Sequence, residues 1–252
     1  MINNKVDSTK IIQERADLIK ASTEEINKTK NLSEVYDLMD KLNESVKIFY
    51  SHIGCKDECF LCCQNSNIPT ATSLEWSYLY EFILKSSDDF KKNIIETNQK
   101  LFSTHGSYLK RIHFSLNNDN EEFKLNELYD TLPKFKGKSC IFLKEGSCSV
   151  YDSRPGKCRT QGYSLMKFAN NVQFQTCLPE NIKMEDLLSK QGNRKVLMPL
   201  WNDYEKHIQD LSDSDKIIFS VLPVWLFSHT KDNMLIDQVN ISPDFENILS
   251  EF

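Results

Sequence analysis

Apolar residues recur at three- and four-residue steps along most of this chain. Leu32, Val35, Tyr36, Met39, Leu42, Val46 and Phe49 form one such stripe, which predicts a helix with one buried face. Asn31 followed by Glu34 predicts a capping box at its start: a side-chain acceptor, then a carboxylate reaching back to the cap amide. Ile12, Ala16, Ile19 and Ile26 form a weaker stripe before it, so residues 1–50 read as two antiparallel helices. Thr72 and Glu75 predict the cap of another helix, with Leu79, Phe82 and Ile83 on its buried side and a break at "KSSDD". Phe90, Ile94, Leu101, Tyr108 and Ile112 mark a longer helix, interrupted near Gly106. Leu197, Leu200, Trp201, Tyr204, Ile208 and Leu211 restore the helical period beyond residue 181.

The pattern changes over residues 137–178, which carry four of the seven glycines and four of the eight cysteines. "CIFL" and "CSVY" flank a polar connection containing Gly146, which predicts a hairpin, and the alternation in "VQFQT" predicts another short strand. The expected fold is mainly α with a small cysteine-rich β-hairpin metal-binding module (α+β). The expected organisation is an N-terminal helical extension (1–50), a cysteine-cluster domain (51–180) and a C-terminal helical extension (181–252).

Composition narrows the function. The 252 residues are 40% hydrophobic, enough for a real core, and scarce glycine favours helices over a many-turned β-protein. The mixed charge, net −5, offers no phosphate-binding surface, so nucleic acid is not an expected partner. The N-terminus has no apolar stretch of signal-peptide length. The longest apolar run, "IIFSVLPVWLF" at 217–227, falls well short of the roughly 20 residues that span a bilayer. A soluble, cytoplasmic protein without a membrane partner is expected. In that reducing compartment eight cysteines do not form a disulfide framework.

Those cysteines are the informative feature. Cys55, Cys59, Cys62 and Cys63 crowd into "CKDECFLCC", while Cys140, Cys148, Cys158 and Cys177 are spread over the loop-rich region. Thiolates are soft donors that favour zinc, copper(I) and iron–sulfur clusters. Both Cys55-x3-Cys59 and Cys59-x2-Cys62 have the spacing of a short ligand turn, and the distant group supplies partners across the hairpin. Eight thiols suffice for two four-thiolate zinc sites, or for one cluster, [4Fe–4S] included, and a second site. The adjacent Cys62 and Cys63 either serve two metals or leave one thiol outside the ligand set, because neighbouring side chains diverge. Redox-active thiols, and packing or disulfides, are the alternatives. Cys55-x3-Cys59-x2-Cys62 is also the cluster spacing of radical S-adenosylmethionine enzymes, but the chain has no Gly-Gly pair and the segments after Cys63 read as helix, helix.

"CKDECFLCC", then "NIPTATSLEW", then "GKSCIFLKEGSCSVYDSRPGKCRTQGYS" resembles the YkgJ-type cysteine-cluster proteins, a family described as zinc- or iron-chelating. The likeness covers roughly residues 52–180, and the second block runs from Cys140 to Arg159, with Ile141 where proline is common. It implies a metal ion or cluster held by Cys55, Cys59, Cys62, Cys63, Cys140, Cys148 and Cys158, with Cys177 as the further downstream cysteine. Flagellin lysine N-methylases are similar in cysteine arrangement. That likeness implies an alternative activity, S-adenosylmethionine-dependent methylation of a protein substrate.

In "DSRPGKCR", Pro155 and Gly156 predict a turn that delivers Cys158. Arg154 and Arg159 bracket that cysteine. They either offset thiolate charge or pair with a carboxylate such as Asp152. Tyr151 is expected to pack over the turn. His52 is a neighbour of the ligands rather than one of them, His105 and His113 are core-edge residues, and Trp76, Trp201 and Trp225 are packing aromatics.

Overall fold

The structure is a computed structural model, which describes residues 8–50, 53–55, 59–64, 68–168, 171–190, 196–212 and 217–252. His52 and the Ile12 side chain lie outside the described residues. Helices dominate, with four short two-stranded sheets among the described residues. The chain forms two compact units, Met1–Lys56 with Arg159–Leu211, and Asp57–Cys158 with Ser212–Phe252.

In the first unit, helices Ser8–Ile26 and Leu32–Phe49 meet the expectation from periodicity. Asn31 Oδ1 accepts from Glu34 N at 3.0 Å, as a cap should. The Glu34 carboxylate reaches one residue past the expected cap amide, to Lys30 N at 2.8 Å. "VQFQT" becomes the strand Asn171–Phe174, antiparallel to Leu165–Phe168 with Leu165 opposite Phe174. Helices Leu178–Lys190 and Trp201–Asp210 follow, with Leu200 as the cap of the second rather than part of it. Val46, Tyr50, Ile53, Tyr163, Met184 and Met198 form a core. The Tyr50 hydroxyl donates to Leu197 O and accepts from Leu197 N, both at 2.9 Å.

In the second unit, Thr72 and Glu75 form a complete capping box at the head of helix Ser73–Lys85. Ser86 ends that helix and Ser87 caps the next, Asp88–Leu116, so the predicted break is present. Two expectations fail. Phe82 is 36% exposed, because the buried arc centres on Trp76, Leu79 and Ile83 and position 82 lies about 100° round the helix from that centre. Gly106 does not interrupt the long helix. It is buried, and a β-carbon there would run into the ring of Phe252. The glycine marks a close approach.

The apolar run at 217–227 splits in two. Phe219–Val221 pairs antiparallel with Thr70–Thr72, and Pro223 opens the helix Leu222–Ser228. No helix among the described residues is long and apolar enough to cross a membrane. Trp76 and Trp225 stack at 6.0 Å in the centre of this unit. His229 is sealed beside them: its Nε2 accepts from Trp76 Nε1 at 3.3 Å and Asn240 N at 3.0 Å. Its Nδ1, 2.9 Å from Trp225 O, therefore carries the hydrogen. His113 Nδ1 lies 2.8 Å from Ser220 Oγ.

Burial lowers both His113 and His229 from the ordinary 6.5 to about 4. Between those values the unfolded chain takes up protons that the folded one refuses. Stability is therefore full above about pH 6.5 and falls toward pH 4, by about 3 kcal/mol for each histidine. Guanidinium unfolding at pH 7, 6 and 5 should show a falling midpoint, with a shallower fall in His113→Asn. A flat profile would contradict this.

Alanine in place of a mid-helix glycine usually stabilises by about 1 kcal/mol. At Gly106 the sign should reverse, with Gly106→Ala destabilising by about 1–3 kcal/mol through overpacking. Phe252→Ala should abolish that penalty in a double-mutant cycle.

Candidate metal centre

Six of the eight cysteines, Cys59, Cys62, Cys63, Cys140, Cys148 and Cys158, lie in the second unit. One backbone hydrogen bond and one ring contact join the sequence-distant motifs there. Cys140 N donates to Cys63 O at 2.7 Å. Phe60 packs on Gly146, the tip of the hairpin between Cys140 and Cys148, where a β-carbon would stand 3.2 Å from the ring. That tip is Glu145-Gly146, both at positive φ (50° and 79°), a two-residue turn matching the twist of its strands. Ile141, Phe142 and Val150 are buried in the unit's core, so the hairpin is anchored by its own apolar residues as well as by its turn.

Cys62 and Cys63 belong to the short helical turn Leu61–Gln64, and their Sγ atoms are 3.9 Å apart. The adjacent side chains converge rather than diverge. A hydrogen bond from Cys63 holds Cys62 down at about 7 against burial, which pushes it up; backbone amides and the Arg154 charge act with the hydrogen bond. The same bond drives Cys63 far upward, reinforced by burial and by charge on Cys62, Cys140 and Cys158. Burial pushes Cys140 up to about 12 and raises Cys148 and Cys158. Charge on Cys62 reaches all four of these thiols. The five are electrostatically linked, yet among the described residues no group of three or more His, Cys, Asp or Glu is arranged to hold a metal ion as it stands.

Cys59 lies just before the turn, half-buried. Cys55 and Cys177 lie in the first unit. Cys55 is pressed against Gly162, whose φ of 88° and lack of a side chain permit the approach, and the Tyr163 hydroxyl donates to Cys55 O. Gly54 N donates to Glu180 Oε1 at 2.7 Å, and Cys177 O accepts from Asn181 N in the first turn of the same helix.

The two arginines differ. Arg154 stacks on the Tyr151 ring at 3.5 Å, and its charge lowers Cys62, Cys148 and Cys158. Arg159 is buried in the first unit, where it pairs with Asp40 at 2.5 Å and lies over the Tyr36 ring at 4.4 Å. Its carboxylate partner is Asp40. Sequence reading found Glu75 only as a helix cap. In the structure its second oxygen accepts from Gly156 N at 2.8 Å, two residues before Cys158. No local pattern announces a contact spanning so much sequence.

Residues 54–179, half of the chain, match the family model CxxCxxCC, described as "Putative zinc- or iron-chelating domain". The searches of curated proteins and of solved structures gave no match, flagellin methylases included. With two separated cysteine motifs in order and this match across them, the chain belongs to the CxxCxxCC family of zinc- or iron-chelating domains.

Proposed function

We propose that the second unit binds a single zinc or iron ion through thiolates drawn from Cys62, Cys63, Cys140, Cys148 and Cys158, in a structural, storage or sensing role. The observation that carries this reading is the 3.9 Å between the Sγ atoms of Cys62 and Cys63. Four sulfurs about 2.3 Å from one tetrahedral ion stand about 3.8 Å apart. A [4Fe–4S] cluster instead gives each thiolate its own iron, which spreads the ligand sulfurs. The spacing therefore favours one ion over a cluster.

Donor chemistry supports the same reading. Burial holds Cys140, Cys148 and Cys158 as neutral thiols. A divalent cation reverses that preference, since a coordinated thiol loses its proton. When bound, the ion would supply the positive charge that lets these sulfurs ionise under cover. Arg154 would offset part of the remaining negative charge. The reading rests on these five thiols; Cys55, Cys59 and Cys177 are not needed for it.

Protein purified without oxygen should carry about one zinc or iron per chain, with no acid-labile sulfide. Cys62→Ser and Cys158→Ser should each lose most of that metal. Four irons with equimolar labile sulfide would replace this reading with a cluster, and metal below a tenth per chain would end both. Zinc affinity should fall as pH drops, because protons compete for raised thiols. Arg154→Gln should weaken zinc binding roughly tenfold, as loss of an outer partner typically does. Competition with a chromophoric chelator at pH 6.5, 7.5 and 8.5 measures both effects.

A further inference from the structure

We propose that Glu75 is a positioning residue for the metal centre: its buried carboxylate fixes the turn that presents Cys158. This rests on the thiol-bound ion proposed above. Glu75 is 4% exposed, so its carboxylate must find donors inside the protein. Oε2 accepts from Thr72 N at 2.9 Å and from the Thr72 hydroxyl at 3.2 Å. Those contacts satisfy the capping box. The other oxygen is not needed for capping, and it accepts from Gly156 N at 2.8 Å.

Gly156 begins the turn Gly156–Arg159 that carries Cys158. Pro155, just before it, has no N–H, so the Gly156 amide is the first backbone donor of that turn. Two residues of backbone then separate the anchored amide from the Cys158 sulfur's own residue. Metal–thiolate distances tolerate only about 0.2 Å of error, so slack at Gly156 would reach the ion. An ionised acceptor makes a stronger bond than a neutral one. A glutamine cannot replace it: with one oxygen facing Thr72, its NH2 would confront the Gly156 N–H, donor against donor. Helix cap and ligand turn are thus held by one carboxylate.

The test compares Glu75→Gln with Thr72→Ala. Thr72→Ala removes the cap hydroxyl and leaves the acceptor for Gly156, whereas Glu75→Gln keeps an oxygen for Thr72 and loses that acceptor. Zinc competition against a chelator should show at least a tenfold loss in Glu75→Gln and less than a twofold change in Thr72→Ala. In protein saturated with Co2+, the thiolate-to-cobalt absorption per bound cobalt should fall by about a quarter in Glu75→Gln, one thiolate in four, and should match that of Cys158→Ser. Thr72→Ala should keep the full band. If Glu75→Gln does not fold, Glu75→Asp, which keeps the charge but shortens the reach, should show the same losses. Affinity and spectrum equal to those of Thr72→Ala would overturn the proposal and leave Glu75 a helix cap alone. Failure of the unaltered protein to take up either metal would overturn it at its root, a result distinct from failure of the Glu75 variants.

Discussion

Gathering sulfur under cover creates the constraint on which the second unit depends. Water is the usual solvent for a thiolate, and burial withdraws it from Cys140, Cys148 and Cys158. Charge on any one of them opposes charge on the others. Arg154 answers part of that charge from beside the Tyr151 ring. Proton retention is one way out of the conflict, and a divalent ion is the other.

The cysteine motifs are held together by groups of little chemical interest. The Cys140 N–H to Cys63 carbonyl bond joins motifs separated by most of a hundred residues, using only main-chain atoms. Phe60 adds an apolar contact at Gly146, where the turn's positive φ already requires glycine. Ile141, Phe142 and Val150 sink the hairpin into the same core as Trp76 and Trp225. Cys140 and Cys148, half-buried, pack against that core, which limits the access of water. That exclusion raises their pKa values and also strengthens any bond to a cation.

How much of this was legible in the sequence follows from the range of each interaction. Caps and helical stripes are local, so the Thr72–Glu75 box and the helix Leu32–Phe49 could be read directly. The hairpin at Gly146 is local too. Gly106 misled because a glycine inside a helical pattern reads as a break, whereas here the missing side chain makes room for Phe252, far along the chain. The pairing of Thr70–Thr72 with Phe219–Val221 was invisible for the same reason, since three-residue strands carry almost no periodicity. At the site, the identity of the cysteines was plain. The convergence of Cys62 and Cys63, the burial of Arg159 on Asp40 and the second bond of Glu75 were not.

Arg159 and Arg154 differ in character. Cys158 is the last residue of the second unit's first segment, and Arg159 opens the first unit's second segment. A buried guanidinium is costly unless paired, and Asp40, Tyr36 and the Asn43 side chain on the Arg159 carbonyl all fix this residue within the first unit. Arg154 can respond to thiolate charge because it is half-exposed and held by a ring stack and one carbonyl. Arg159 is committed to its carboxylate. The chain entering the turn is held separately, by Glu75 at Gly156. Within the second unit, the Glu75 carboxylate restricts the backbone that leads to Cys158.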